Sequence, residues 1–339
     1  MATHNRTEVA RIDPDEPDAR LLERAGEYIR RGLLVAFPTE TVYGLGADAT
    51  NERAVQRIFE AKERDPNDPI IVHVAAPEDV DAVAADVSPL ARALIARFWP
   101  GALTLVLKRG PAIASNVSAG RETVAVRMPN HAVALGVIRE AGVPVAAPSA
   151  NRFMRTSATT AQHVLDDLDG RVELVLDGGP TRHGVESTVV DATGDRLRLL
   201  RPGAVTLEAL EAAAGEIVEQ AGGAALASPG MLPRHYAPRT PLRFIETAAV
   251  AALVEAVVVE LARGRKPGVL CLDQEAPMFA GSAAVETLGT SLEDVARNLY
   301  AAMRRMDARG VDVMLARDFG EEGLGRAVRD RLRRASTPG

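Results

Sequence analysis

The segment KERDPNDPIIVH, Lys62–His73, gives the first firm indication of local structure in this sequence. Ahead of it, apolar residues recur every three or four positions in Asn51–Lys62, which predicts an amphipathic helix with Asn51 as its N-cap. Two prolines inside the segment cannot continue a helix, and the β-branched run Ile70–Val74 predicts a strand. The sequence therefore predicts a helix, a cationic loop and a strand in succession.

The cations of this loop, Lys62 and Arg64, have two interpretations. A cationic loop between a helix and a strand suits a polyanionic ligand. Alternatively, the two side chains belong to a solvated basic helix end that only complements the helix dipole. His73 is likewise either a ligand contact or a core histidine whose hydrogen bonds are satisfied within the protein.

Composition limits the class of protein. A chain of 339 residues is long enough for two domains, and 47% hydrophobic with 25% charged residues is typical of a globular protein. A net charge of −6 argues against a protein that mainly coats nucleic acid, although it is compatible with a local basic pocket. The single cysteine, Cys271, excludes an internal disulfide and a multi-cysteine metal site, which favours a cytoplasmic protein.

The order of predicted elements indicates two α/β domains. Residues 1–20 are polar and acidic and contain no apolar signal or membrane-spanning stretch, so we expect a polar tail at residues 1–14. In 15–205, short β-branched strands alternate with helices, which predicts a mixed sheet. In 242–339, strands alternate with longer helices, which predicts a smaller parallel sheet, and no glycine-rich dinucleotide fingerprint accompanies it.

Residues 206–241 are predicted to join these two domains. Their second half is rich in Gly, Ala, Ser and Pro, as linkers are. Arg234, His235 and Tyr236 nevertheless lie among the prolines, and such side chains can cover a pocket and bond to a ligand. We therefore expect residues 206–241 to act as a lid that closes over a site, and not only as a tether.

Five polar clusters lie near the ends of predicted strands in the first domain. They are Thr39–Thr41, Lys62 and Arg64 with His73, Thr123 with Arg127, Ser149–Asn151, and Glu186–Thr188. Each of them alone could be a turn or a surface charge, but together they supply hydroxyls, amides and cations with few carboxylates. A lining of that kind suits an anionic substrate.

No side chain in these clusters has the sequence pattern of a catalytic nucleophile or a metal ligand. The sequence has no Gly-x-Ser-x-Gly elbow, Cys271 lies outside the clusters, and the six histidines show no zinc-ligand spacing. The chemistry should therefore depend on positioning and charge stabilisation, as in phosphoryl and nucleotidyl transfer.

Seven motifs give the sequence a family resemblance. In chain order they are Pro38–Gly46 (PTETVYGLG), Lys62-x-Arg64, Phe98–Gly101 (FWPG), Pro148–Asn151 (PSAN), Glu186–Asp191 (ESTVVD), Leu200–Gly203 (LRPG), and Ser228–Met231 (SPGM) with His235–Pro238 (HYAP). Together they resemble the threonylcarbamoyl-AMP synthase family in its long form. That resemblance implies a YrdC-like twisted mixed sheet with helices and an open cavity, a linker, and a smaller Rossmann-like domain with a parallel sheet.

The resemblance also implies an activity. Members of this family are expected to convert L-threonine, bicarbonate or CO₂, and ATP with Mg²⁺ into L-threonylcarbamoyl-adenylate and pyrophosphate. The product supplies the threonylcarbamoyl group that other proteins attach to adenosine 37 of ANN-reading tRNAs. We thus expect contact with downstream threonylcarbamoyltransferase proteins, weak or no direct binding of tRNA, and no membrane partner.

The site residues implied by the resemblance fall into two groups. Threonine would be held by Thr41, His73, Arg127, the backbone at Ala147, and Ser187. ATP would be held by Lys62, Arg64, the position of Asp68, Thr123, Ser149, Asn151, Ser157, Arg201 and Tyr236. Lys62 and Arg64 would also be catalytic, because their charge, with Mg²⁺, offsets the charge that grows on the leaving pyrophosphate.

The cationic loop departs from the family pattern at two positions. The family usually has a proline after the second cation and an asparagine before the next proline, whereas this chain has Asp65 and Asp68. A carboxylate cannot donate a hydrogen bond as an amide does, and its charge repels phosphate. Asp68 would therefore contact ATP only through the ribose, the base or a metal.

Two other functions are compatible with parts of the sequence. YrdC-like domains also occur in carbamoyl-transfer proteins of hydrogenase maturation, but those would carry cysteine-rich zinc motifs, and this chain has one cysteine. An RNA-binding YrdC-like module would show salt-sensitive RNA binding without ATP turnover, and the negative net charge argues against it.

Overall fold

A computed structural model describes residues 6–215, 217–219 and 232–337 of the chain. They form two compact units. The second unit contains the C-terminal residues from Leu232 together with two short segments from earlier in the chain, Met154–Ser157 and His183–Val185, and the first unit contains the rest. No helix within these described ranges is long and apolar enough to cross a membrane.

The first unit is built on one twelve-stranded mixed sheet. Its strands are β1 (Glu8–Arg11), β2 (Val35–Phe37), β3 (Gly44–Asp48), β4 (Ile71–His73), β5 (Ala84–Asp86), β6 (Leu103–Arg109), β7 (Thr123–Arg127), β8 (Val145–Ala146), β9 (Leu174–Asp177), β10 (Thr188–Asp191), β11 (Arg198–Arg201) and β12 (Val218–Glu219). Their order is β1-β9-β2-β3-β8-β4-β7-β6-β10-β11-β12, with β5 paired to β6. The predicted mixed sheet is confirmed.

Seven helices accompany this sheet in the described part of the first unit. They are α1 (Ala19–Arg30), α2 (Glu52–Lys62), α3 (Val80–Val83), α4 (Pro89–Phe98), α5 (Ala132–Ala141), α6 (Ala161–Leu168) and α7 (Leu207–Ala214). Several begin at a side chain that caps the first turn. Ser88, for example, accepts a hydrogen bond from the backbone N–H of Ala91 at 3.1 Å.

The helix predicted ahead of the cationic loop is α2. The Asn51 side chain accepts hydrogen bonds from two backbone N–H groups of the first turn, as predicted for an N-cap. The helix ends at Lys62, because Glu63 adopts a left-handed conformation with φ 54° and Arg64 donates its backbone N–H to Phe59 O at 2.9 Å. Lys62 and Arg64 are only 1% and 7% exposed, so the alternative of a solvated basic helix end is wrong.

Two of the strands that the sequence analysis did not predict are β1 and β3. The prediction of a polar tail at residues 1–14 is wrong for Glu8–Arg11, which pairs in parallel with β9. Backbone hydrogen bonds hold this edge strand although its side chains are mostly exposed, which explains its tail-like composition. The second strand, β3, begins inside the Pro38–Gly46 motif, where no strand was predicted. Gly46 lets it pass the ring of Phe37, because a Cβ at Gly46 would lie 2.6 Å from Phe37 Cε1.

The two faces of the sheet differ in the residues they carry. Side chains such as Val72, Leu105 and Val126 point to one face and belong to the main hydrophobic core. The neighbouring positions along the same strands point to the other face, where a small apolar cluster is formed by Ile71, Val106, Ala125, Val189 and Leu200. Polar residues of the predicted site lie on the same second face, beside the members of this apolar cluster.

The second unit contains a four-stranded sheet in the order β13-β16-β14-β15, and every pair is parallel. Its strands are β13 (Leu242–Ile245), β14 (Pro267–Cys271), β15 (Ala284–Thr287) and β16 (Val313–Arg317), and its helices are α8 (Val250–Ala262), α9 (Leu292–Asp307) and α10 (Leu324–Ser336). The predicted smaller parallel sheet is confirmed, although β15 was not predicted. Burial raises the pKa of Cys271 to about 12, so this thiol stays protonated at neutral pH.

Candidate active site

Adjacent strands of the first unit place three polar residues in one row. His73 of β4 is opposite Arg127 of β7, and Arg127 is opposite Thr104 of β6. Partners in register point to the same face of a sheet, here the face that carries the small apolar cluster. Each of the three residues is at most 3% exposed. The row is therefore a buried polar strip within an apolar surface.

Arg127 is tied to the loop that follows β2. Its Nη1 donates to Thr41 Oγ1 at 2.9 Å, its Nε donates to Gly101 O at 3.1 Å, and its Nη2 lies 2.7 Å from Glu40 Oε1. Burial alone would raise the pKa of Glu40, but the charge and hydrogen bond of Arg127 outweigh burial, so this pKa is lowered. Among the described residues, Nε and Nη1 of Arg127 each donate to a protein acceptor, whereas Nη2 faces the Glu40 charge without a well-aligned hydrogen bond.

His73 is uncharged at neutral pH. Burial, followed by the positive charge of Arg127, lowers the pKa of His73 to about 3. Its Nδ1 is buried and has no well-aligned hydrogen-bond partner among the described residues. A neutral imidazole in this position can form a hydrogen bond to a polar ligand but cannot attract a carboxylate by charge.

Ser187 connects the polar row to Arg201. Ser187 Oγ lies 2.7 Å from Thr104 Oγ1. Arg201 Nη2 donates to Ser187 O at 2.9 Å and to Ser187 Oγ at 3.2 Å, and Arg201 Nε donates to the same carbonyl at 3.2 Å. A residue predicted for threonine thus contacts a residue predicted for ATP.

Lys62 reaches the loop that follows β8. Its Nζ donates to the carbonyl oxygens of Ser149 and Asn151, and Phe153 donates its backbone N–H to Lys62 O at 2.9 Å. Burial, followed by the charge of Arg64, lowers the pKa of Lys62 well below its ordinary value. Three residues predicted to hold ATP are therefore in direct contact, and the cation is removed from water.

Arg64 and Asp68 form an ion pair inside the cationic loop. Arg64 Nη2 lies 2.9 Å from Asp68 Oδ2, and the two side chains are 4% and 1% exposed. Arg64 also donates to the carbonyl oxygens of Asp68 at 3.2 Å and Pro69 at 2.7 Å. Its guanidinium carbon lies 5.6 Å from the centre of the Phe153 ring. The loop that carries Arg64 therefore already supplies acceptors for it.

Two further predicted residues lie on the same part of the sheet. Thr123 is on β7, and because side chains alternate along a strand it shares the face of Arg127. Ala147 follows β8, and its backbone N–H donates to Ile71 O at 2.9 Å. The predicted threonine contact at Ala147 would therefore involve its carbonyl.

Ser157 and Tyr236, both predicted for ATP, belong to the second unit. The Tyr236 ring stacks on Tyr300 with 5.8 Å between ring centres, and the guanidinium carbon of Arg331 lies 5.0 Å from its centre. The Ser228–Met231 motif lies outside the described residues. The ATP contacts of Ser157 and Tyr236 stay predictions.

The sequence analysis assigned no role to Glu40 or Thr104, although both contact predicted site residues. Glu40 was noted only as part of a polar cluster, and the pattern gave no sign that it pairs with a cation far away in the chain. Thr104 had a signal that could have been used. It is the one hydroxyl in the otherwise apolar run Leu103–Leu107, at a position that shares the face of the small apolar cluster.

Gly203 supports the backbone that carries Ser187. A Cβ at Gly203 would lie 2.4 Å from each of Glu186 O, Ser187 C and Thr188 N. We expect Gly203→Ala to displace this backbone and to lower the free energy of unfolding by about 3 kcal/mol, as overpacking in a buried site does. Urea unfolding measures the loss.

The matched control for this prediction is Gly194→Ala, because a Cβ at Gly194 would meet nothing within 4 Å. We expect its unfolding curve to resemble that of the unmodified chain. Equal stability of the two alanine variants would contradict the role given to Gly203.

Comparisons with known proteins identify the family. A model of the Sua5/YciO/YrdC domain, described as telomere recombination, matches residues 27–203, and a model of the threonylcarbamoyl-AMP synthase C-terminal domain matches residues 205–337. The chain belongs to the threonylcarbamoyl-AMP synthase family. The threonylcarbamoyl-AMP synthase of Pyrococcus abyssi is 44% identical over 92% of this chain and 93% of its own length. That of Bacillus subtilis is 43% identical over 93% and 92%.

A solved structure of this family has the same fold. The crystal structure of P. abyssi Sua5 complexed with L-threonine is 42% identical in sequence and superposes with a TM-score of 0.92 over 97% of this chain and 98% of that one. The predicted family, the mixed α/β fold with a smaller parallel sheet, and the class of enzyme, a nucleotidyl-transferring synthase, are confirmed. The boundaries at 15–205, 206–241 and 242–339 and the roles of single residues stay predictions.

Proposed function

We propose that this chain joins L-threonine, bicarbonate and ATP into L-threonylcarbamoyl-adenylate and pyrophosphate, for the modification of adenosine 37 in tRNA in the cytoplasm. The observation that carries this assignment to particular residues is the contact between Ser187 and Arg201, with 2.9 Å between Arg201 Nη2 and Ser187 O. Ser187 contacts the polar row, which is suited to an amino acid, through Thr104. It also contacts Arg201, one of the cations suited to phosphates.

The first step of the proposed mechanism concerns threonine. Arg127, partly neutralised by Glu40, would bind the carboxylate with N–H groups not used by Gly101 and Thr41, while Thr41, His73 and Ser187 would bond to the other polar atoms. The threonine amine attacks the carbon of CO₂, a C–N bond forms as one C=O π bond opens to a C–O⁻ group, and the nitrogen loses a proton. If bicarbonate reacts directly, the C–N bond forms as a C–O bond breaks and water leaves. The product is a carbamate, whose oxygen is the nucleophile of the second step.

The second step transfers the adenylyl group. The carbamate oxygen attacks the α-phosphorus of ATP, a new O–P bond forms, and the bond to pyrophosphate breaks with the electron pair leaving on pyrophosphate. Lys62, Arg64 and Arg201 would hold the phosphates and stabilise the charge that develops on the leaving group. A covalent intermediate on the protein is unnecessary.

A divalent ion would accompany ATP as its counter-ion. Among the described residues, no three His, Cys, Asp or Glu side chains converge on a metal position. We therefore propose that Mg²⁺ is bound mainly by phosphate oxygens and water, as is usual where Mg²⁺ enters with a nucleotide.

The dependence of ATP consumption on the other two substrates tests this function. We expect pyrophosphate release only when L-threonine and bicarbonate are both present, because the nucleophile does not exist before the amine is carboxylated. The assay measures pyrophosphate with each of the twenty amino acids, with added bicarbonate and after degassing. Release at the full rate with serine, or with threonine in the absence of a carbon source, would contradict the proposal.

Two features of the proposed function lie beyond the reaction itself. Residues 206–241 would act as a lid that protects the mixed anhydride from water, and residues 216 and 220–231 of this segment lie outside the described ranges. The adenylate would pass to the downstream threonylcarbamoyltransferase proteins, which recognise tRNA. Direct tRNA binding by this chain would be weak or absent, consistent with its net charge of −6.

A further inference from the structure

A buried carboxylate lies among the cations that would receive the phosphates of ATP. Asp68 is 1% exposed, and its Oδ2 lies 2.9 Å from Arg64 Nη2. Lys62 and Arg201 are also close enough to act on this carboxylate electrostatically. Binding of the ATP phosphates by Lys62, Arg64 and Arg201 is part of the proposed function, and what we infer about Asp68 rests on that function.

Opposite charge is the main interaction that holds the Asp68 carboxylate. Beyond its ion pair with Arg64, neither carboxylate oxygen has a hydrogen-bond partner among the described residues. Buried carboxylates normally accept several hydrogen bonds, because removing them from water is costly. The position of Asp68 therefore depends on the same positive charge that a ligand phosphate would use.

A polyphosphate and this carboxylate would compete for one group of cations. Two negative groups within a few ångströms of each other in a site shielded from water repel strongly, and one of them then takes up a proton. Protonation makes the Asp68 side chain neutral and also gives it an O–H donor. An asparagine at this position would carry no charge and would not compete with phosphate in this way.

We propose that Asp68 is an internal anion that occupies the cluster of Lys62, Arg64 and Arg201 in the free protein and that takes up a proton when a polyphosphate binds. Polyphosphate affinity then falls as the pH rises, because the proton required for binding becomes scarcer. Burial already raises the pKa of Asp68 against the opposing effects of Arg64, Lys62 and Arg201, and the negative charge of Asp65 in the same loop adds to this rise.

Lys62 is the rival site for such a proton. Its pKa is lowered by burial and by Arg64, so a neutral Lys62 would also gain a proton when an anion arrives. The two cases respond differently to loss of the Asp68 charge. If Asp68 takes up the proton, its removal ends the uptake. If Lys62 takes it up, loss of the nearby negative charge lowers the pKa of Lys62 further, and the uptake persists or grows.

Calorimetric titration in buffers of different ionisation enthalpy counts the protons taken up on binding. The probes are ATP and inorganic triphosphate, each without threonine and bicarbonate, so that no reaction follows. For the unmodified chain we expect uptake of about one proton and about tenfold weaker binding for each unit of pH above neutrality. Asp68→Asn should take up none and, because its affinity does not fall over these roughly 1.5 pH units, it should bind at least about 30-fold more tightly than the unmodified chain at about pH 8.5.

Asp65→Asn is the matched control, because Asp65 is an exposed carboxylate of the same loop. It should take up the proton as the unmodified chain does. Lys62→Arg keeps a positive charge that does not titrate, so uptake should also persist in this variant. If Asp68→Asn does not fold, Lys62→Arg decides alone: retained uptake supports Asp68 as the acceptor, and lost uptake overturns the proposal.

Three results would overturn the role of Asp68: no proton uptake by the unmodified chain, uptake that persists in Asp68→Asn, or failure of both polyphosphates to bind. Pyrophosphate release with threonine and bicarbonate is measured separately. A chain that binds triphosphate with this proton linkage but releases no pyrophosphate refutes the proposed function and leaves the role of Asp68 intact.

Discussion

Arg127→Ala is expected to lower the free energy of unfolding by about 3–5 kcal/mol, the cost of leaving a buried charge without its partner. That charge is Glu40, which is 2% exposed and lies 2.7 Å from Arg127 Nη2. Urea unfolding measures the loss. We expect threonine-dependent pyrophosphate release to disappear as well, because the variant lacks the guanidinium that is proposed to bind the threonine carboxylate.

The pH dependence of this loss has a definite sign. In the unmodified chain the pKa of Glu40 is lowered, so the pair stabilises the protein above the ordinary pKa of about 4.3 and this contribution is lost as the pH falls through the lowered pKa. Without Arg127, burial raises the pKa of Glu40, and the variant then loses stability as the pH rises. The defect should therefore be smaller at about pH 5 than at about pH 8.

A double variant separates stability from function. Glu40→Gln with Arg127→Met removes both charges, so most of the lost stability should return, whereas threonine-dependent release should not. Arg92→Ala is the matched control for a lost ion pair, because Arg92 and Asp81 form one at 2.7 Å with both side chains more than half exposed. It should change stability by less than about 1 kcal/mol. Equal losses in Arg127→Ala and Arg92→Ala would contradict the buried-pair argument.

Lys62→Met is expected to slow threonine-dependent pyrophosphate release about 100-fold or more, because a cation beside the leaving group is removed. Its effect on stability should be small. The carbonyl oxygens of Ser149 and Asn151 lose a donor, but the cost of burying an ammonium group is also removed. Initial rates and urea unfolding, measured on the same preparation, distinguish these effects.

Lys108→Met is the control for this variant, because Lys108 is 57% exposed and pairs with Asp86 at 3.2 Å at the surface. It should keep the full rate. If the Lys62→Met chain released pyrophosphate as fast as the Lys108→Met chain, the Lys62 ammonium group would only stabilise the conformation of the Ser149–Asn151 loop.

Local patterns in the sequence were sufficient for much of the fold. The cap at Asn51 and the end of α2 at Lys62 were predicted from side chains a few residues apart, and the structure has both. The strands β1 and β3 were not predicted, for different reasons. Glu8–Arg11 is held by pairing with a strand over 160 residues away, and β3 contains glycines that composition assigns to turns.

For the candidate site as well, local sequence patterns were sufficient for some features and not for others. The sequence indicated which cations and hydroxyls come together, and His73, Arg127 and Ser187 do lie on one connected part of the sheet. It did not indicate how their charges are compensated. Glu40 and Asp68 are buried against cations, although the sequence had suggested a lining poor in carboxylates. Pairing of this kind depends on distances between distant segments, which no local pattern contains.

The path of the chain between the two units limits how this protein can evolve by recombination. Met154–Ser157 and His183–Val185 belong to the C-terminal unit, so the chain passes from one unit to the other four times before Gly203. Ala237 donates its backbone N–H to Met154 O at 2.8 Å, and Arg304 Nη2 donates to Thr156 O at 2.6 Å. A gene fusion or deletion that treats the C-terminal domain as a cassette would separate these partners. Loss or exchange of that domain therefore requires compensating changes at two distant places in the coding sequence.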